Sequence, residues 1–171
     1  MDNEKNACCF FGHRKISETP ELTSCLKNTV EKLITEKSVD TFLFGSKSEF
    51  DSLCLNTVTE LKEKYPHIRR IYVRAAFADI DDSYKSYLLE SYEDTYFPEK
   101  MRNAGKASYA ERNCEMIDKC RFCIVYYDES YAPPKRRNSR RDISDYQPKS
   151  GTKIAFDYAS KKKRKIINLF G

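Results

Sequence analysis

Pro148-Lys149-Ser150-Gly151-Thr152 runs directly into Lys153-Ile154-Ala155-Phe156-Asp157-Tyr158-Ala159. The first stretch has the small residues of a tight turn, and the second has helical spacing. Such a turn leaves backbone N–H groups free at the positive end of the helix dipole, where a phosphate is well placed. The apolar run Phe122-Cys123-Ile124-Val125-Tyr126-Tyr127 precedes it and reads as a strand. An open α/β sheet takes its ligands where a strand gives way to such a turn. Ser150, Gly151 and Thr152 are therefore the first candidates for phosphate contacts.

Other candidates follow strand-like runs in the same way. Gly12 permits a tight exit and close approach of a ligand, and His13 and Arg14 carry groups for a phosphate or a base. They equally fit a solvated basic turn. Gly45 and Ser46 free the backbone after a second run, and Asp51 follows close behind. Asp51 suits either the start of a helix or a ribose hydroxyl. Arg112 and Asn113 fall inside a helical stretch whose neighbours Glu111, Glu115 and Asp118 are polar, the pattern of a solvated face.

The elements that must hold these residues are legible from periodicity. Strands are expected over 7–12, 41–44, 68–73, 121–127 and 165–170. Helices are expected from Thr19-Pro20 to about residue 37, from about Phe50 to Tyr65-Pro66, over about 103–119 and over about 151–162. Ala104, Ala107, Ala110, Met116 and Ile117 should line the buried side of the third of these, and Ile154, Ala155, Tyr158 and Ala159 that of the fourth. The acidic, Tyr-rich region 78–100 should hold a short helix near 83–90 and then a loop to Pro98. A basic loop, 129–149, carries Lys135, Arg136, Arg137, Arg140 and Arg141. Strands alternating with helices give an α/β fold, a three-layer α/β/α sandwich with a central, mainly parallel sheet of about five strands.

The 171 residues suit one domain, residues 1–171. With 40% hydrophobic and 33% charged residues, the composition is that of a soluble globular protein. No run approaches the ~20 apolar residues of a membrane span. The polar start, Met1-Asp2-Asn3-Glu4-Lys5-Asn6, is not that of a signal peptide, so a cytoplasmic protein is expected. A net charge of +5 permits an anionic ligand without demanding nucleic acid. The seven cysteines are an odd count at irregular spacings, which argues for reduced thiols. Cys120 and Cys123 form a CxxC pair, but zinc needs about four ligands. A buried pair at the start of a strand is the expectation, with no metal and no cofactor. No Walker A loop, hydrolase nucleophile elbow or complete GxGxxG is present, which disfavours ordinary ATPase and NAD-dehydrogenase chemistry. The Tyr-rich segment suits base stacking or a homo-oligomer contact.

Phe11-Gly12-His13-Arg14, Phe44-Gly45-Ser46 with Phe50-Asp51, and Leu61-Lys62-Glu63-Lys64-Tyr65-Pro66-His67-Ile68 come in order along the chain. Arg112-Asn113 with Met116-Ile117-Asp118, then Ser150-Gly151-Thr152 with Ala155, Tyr158 and Ala159, complete the series. Together they resemble the SLOG superfamily, in its YpsA-like branch, over almost the whole chain. The superfamily includes the LOG phosphoribohydrolases and the DNA-processing protein DprA. The resemblance implies a Rossmann-like nucleotide-binding fold with its site at the strand carboxyl ends. It raises Arg112 and Asn113 to ligand contacts and supports Gly151 and Thr152 as the phosphate turn. It also implies a bacterial or phage protein that senses or sequesters a nucleotide-like molecule, in stress or phage-related signalling.

The catalytic branch carries Pro-Gly-Gly-x-Gly-Thr-x-x-Glu and an Arg-Lys pair. Here Ala155 stands in place of the Glu and Asn113 in place of the Lys. Cleavage of an N-glycosidic bond wants a carboxylate beside the ribosyl centre. A binding protein is therefore expected ahead of an enzyme. The alternatives are a phosphoribohydrolase using Asp51, Glu93 or Asp94, and a DprA-like nucleic-acid-associated protein using the loop 129–149.

Overall fold

Residues 6–101, 107–131 and 151–170 are described by a computed structural model of the chain. The elements run β1 (Ala7–Gly12), α1 (Pro20–Lys37), β2 (Thr41–Phe44), α2 (Glu49–Lys64), β3 (Arg69–Val73) and α3 (Asp82–Leu89). Then come β4 (Asp94–Tyr96), a 3-10 turn (Glu99–Met101), α4 (Ser108–Lys119), β5 (Phe122–Tyr126), α5 (Gly151–Lys161) and β6 (Lys165–Asn168).

All strands pair in parallel, in the order β4-β3-β2-β1-β5-β6. This is a Rossmann-like α/β sheet of six strands, one more than the sequence suggests. The extra strand is β4, in the stretch expected to be a loop. It is three residues long, pairs only with β3, and buries only Thr95. So short an edge strand leaves no alternation to detect.

Period-two alternation along the inner strands feeds two cores. Cys8, Phe10, Phe42, Phe44 and Ile124 meet α1 and α2 on one face. Cys9, Phe11, Leu43, Cys123 and Val125 meet α4 and α5 on the other. The buried residues of α1 are Leu22, Leu26, Val30, Leu33 and Ile34, the apolar stripe its spacing predicts. Thr19 caps that helix by accepting from the Leu22 N–H at 3.1 Å. Ser48 does the same for α2, accepting from the Asp51 N–H at 3.0 Å. Cys120 and Cys123 are buried at the entry to β5, with the Cys123 sulfur 3.5 Å from that of Cys9.

Two helix faces differ from expectation. Ala107 and Ile154 are exposed: Ala107 precedes the first turn of α4, and Ile154 lies off the buried stripe of Thr152, Ala155 and Ala159 on α5. Residues 102–106, 132–149 of the basic loop, and Ser150 lie outside the described residues. Among the described residues no helix is long and apolar enough to cross a membrane.

Candidate functional site

Parallel pairing sends the loops after β1, β2, β3 and β5 to one edge of the sheet. β1 leads to α1 on one face, whereas its neighbour β5 leads to α5 on the other. The loops diverge there, and a crevice opens where open α/β sheets take ligands.

Two of the candidate glycines are tied to packing at this edge. A Cβ on Gly12 would lie 2.3 Å from Cγ of Phe50. The first turn of α2 can sit against the end of β1 only because residue 12 has no side chain. A Cβ on Gly45 would lie 2.8 Å from both Nε of Arg112 and Sδ of Met116. The glycine lets α4 bring Arg112 against the backbone at the end of β2. Gly151 differs, since among the described residues a Cβ there meets nothing within 4 Å.

The Gly45 turn is held by two side chains from opposite faces of the sheet. Asp51 on α2 accepts from the Ser46 N–H at 3.0 Å and the Gly45 N–H at 3.4 Å through one oxygen. Its other oxygen is buried without a partner. Burial pushes its pKa up to about 7, against the backbone N–H bonds and the nearby Arg112 charge, which favour the carboxylate. Arg112 on α4 donates through Nη1 to the Gly45 carbonyl and through Nε to Asn113 Oδ1, the latter at 3.2 Å. Arg112 is 4% exposed, and burial lowers its proton affinity. Asp51, Tyr72 and Tyr109 act on it through space, and among the described residues it has no contact ion pair. The Tyr109 ring lies 5.5 Å beneath the guanidinium. Arg112 thus sits on the buried stripe of α4, not on a solvated face, and it meets both Gly45 and Asn113.

A second cluster joins the ends of β1, β5 and β6. His13 is buried, and its Nε2 accepts from the Asp128 N–H at 2.8 Å. The ring proton therefore sits on Nδ1, which is buried without a partner. Burial lowers the His13 pKa, while the Asp128 carboxylate opposes that shift. The imidazole stacks on Tyr131 with centroids 3.9 Å apart. Asn168, ending β6, donates to the Tyr127 carbonyl and accepts from the Tyr127 N–H, both at 3.1 Å. A cleft of about 270 Å³ opens here, lined by His13, Lys15, Ser17, Tyr126, Tyr131 and Phe170.

The remaining candidates fall as follows. Arg14 is exposed, and its carbonyl accepts from the Glu49 N–H at 2.9 Å. Thr152 is buried in the first turn of α5, and Ser150 lies outside the described residues. Glu93 and Asp94 stand at the amino end of β4, on the opposite edge of the sheet. Glu93 there is paired with Arg70 and Lys62 at 3.0 and 2.9 Å. Sequence reasoning overlooked Tyr109, Tyr131 and Asn168. Only the Tyr109–Arg112 spacing of three, one turn of helix, marked any of them beforehand.

Six parallel strands, helices on both faces and a polar cluster at the carboxyl edge define a Rossmann-like domain built around a crevice. The model of the YspA SLOG family (YpsA) matches residues 7–159, and the chain belongs to that family. Comparison with curated proteins returned no match.

Proposed function

We propose that this protein binds a nucleotide or a nucleotide-derived small molecule at the carboxyl edge of its sheet, in a sensing or sequestering role. The observation that carries the reading is Arg112. A buried guanidinium with no contact counter-ion among the described residues is costly to keep, and an anion arriving at the Gly45 turn would offset that cost. The open first turn of α5 adds backbone N–H donors at the same edge.

The surroundings favour holding such a ligand over cutting it. Ala155 is buried in the core beneath α5. Glu93 and Asp94 face the other edge, and the Asp51 carboxyl is enclosed, with one oxygen already bonded to the turn. None of the three is free to support a ribosyl cation.

The test is a thermal-shift panel of AMP, ADP-ribose and cyclic dinucleotides, with mass spectrometry of small molecules released on denaturing the purified protein. A ligand at a hundred times its Kd adds ~2.7 kcal/mol, or roughly 5–10 °C in a domain of this size. Arg112→Met should abolish the shift. Gly151→Val should abolish it as well, with little change in the ligand-free melting temperature, because the new side chain strikes none of the described residues. Absence of any shift, together with no co-purifying nucleotide, would refute the reading. Release of free base from AMP would replace it with hydrolysis.

A further inference from the structure

Phe77 lies in the loop after β3, is 72% exposed, and has φ 63°. The left-handed region suits glycine, and a bulky aromatic residue there is strained. Exposing the ring gains no burial to offset that strain. A turn with both features would relax or carry another residue unless something held it.

Arg74 holds it. This side chain is 8% exposed and comes from the first position after β3. Its Nε donates to the Phe77 carbonyl and Nη2 to the Ala78 carbonyl, both at 3.3 Å. Its Nη1 donates to Thr95 Oγ1 at 3.1 Å, and that hydroxyl donates on to the Tyr72 carbonyl at 2.8 Å. A buried arginine is thus spent on fixing the carbonyls around one exposed ring. β3 lies beside β2, so this loop leaves the same edge as the Gly45 turn that Arg112 contacts, one strand away.

We infer that Phe77 is a preset stacking platform for the base of the nucleotide whose anionic part lies at Arg112. A nucleotide joins an anion to a flat aromatic heterocycle, and this edge offers a buried cation at the end of one strand and an exposed ring on a pinned turn after the next. Stacking on such a ring is tolerant of base identity. The inference rests on the nucleotide reading above and assigns one part of that ligand to one residue.

The experiment compares wild type, Phe77→Gly and Phe77→Trp by calorimetry. The probes are the four common nucleoside 5′-monophosphates and ADP-ribose, each set against ribose 5-phosphate, which has no base. Wild type should bind at least one base-bearing probe more tightly than ribose 5-phosphate. F77G should weaken that probe by about tenfold and leave ribose 5-phosphate unchanged, and F77W should keep the preference. Because glycine relieves the positive φ and the ring packs against little, the ligand-free melting temperature of F77G should hold or rise. A base preference that survives in F77G would overturn the Phe77 assignment and leave the nucleotide reading standing. Equal affinity of wild type for probes with and without a base would overturn it too, as would a lower melting temperature for F77G. A dimer that dissociates in F77G would assign the ring to self-association instead. Binding of no probe by wild type would remove the nucleotide reading, and the platform with it.

Discussion

Asp51→Asn should flatten the pH dependence of this protein's stability. The Asp51 carboxyl rises from the ordinary 3.8 to about 7, chiefly through burial. Between those values the folded state holds a proton that the unfolded chain releases. Stability therefore falls as pH rises, from full below the unfolded value to a lower plateau above about 7. At about 1.4 kcal/mol per unit, the full span is worth about 4 kcal/mol, and pH 5 to 8 covers about 3 kcal/mol of it. Asparagine is neutral throughout and keeps an oxygen for the Ser46 N–H. His13 works in the opposite sense, since its lowered pKa costs stability as pH falls below the usual histidine value. That contribution is common to both proteins and cancels on subtraction if the sites act independently. The chain has no tryptophan, so urea unfolding is best followed by far-UV circular dichroism, at pH 5 and pH 8. Wild type should lose about 3 kcal/mol more than D51N between them. Equal losses would mean that the Asp51 carboxyl ionises normally and that its enclosure beside the Gly45 turn has been misread.

Gly12→Ala should cost about 2–3 kcal/mol in thermal or urea unfolding, because its Cβ strikes the Phe50 side chain. The cost should shrink on a Phe50→Ala background, which removes the contacts at Cγ and Cδ2. Asn168→Ala removes the bonds to both backbone groups of Tyr127 and one to the Phe170 N–H. About 1–3 kcal/mol should go with them, and amide exchange at Tyr127 should accelerate. A thiol reagent applied to the folded protein should label Cys25 first and Cys114 more slowly. Cys8, Cys9, Cys54, Cys120 and Cys123 should react only on unfolding, since they are buried; burial holds the first four thiols protonated, and the hydrogen bond with Cys9, then burial, does so for Cys123.

The inner layers of this fold could be read from residue types because their signals are redundant. Thr19-Pro20 starts α1, five apolar residues at helical spacing carry it, and the structure buries all five. β4 carried no such redundancy, with Asp94 and Tyr96 flanking the single buried Thr95. The candidate site was legible by position, as residues just past each strand, but not by role. Gly12 and Gly45 read as places for a ligand to approach, yet each also admits a neighbouring side chain. Arg112 sits among acidic neighbours that mark a solvated face, and only the helix's docking over Gly45 reveals that it points inward. Asp51 stood five residues past Ser46 with nothing in its spacing to announce that it reaches back there. Such returns are tertiary, and a sequence window does not contain them.

β1 lies at the centre of the sheet and pairs with β5, whose Cys123 is 114 residues from Cys9. The pairings of β1 with β2 and β2 with β3 each close over a single intervening helix, so that half can form early. Zipping β5 onto β1 closes a far longer loop, which adds about 1 kcal/mol of closure entropy over the β1–β2 pairing. The crevice beside His13 therefore depends on the long-range pairing of β1 with β5. Occupancy there would act as a clasp, slowing unfolding at the seam where the two halves meet.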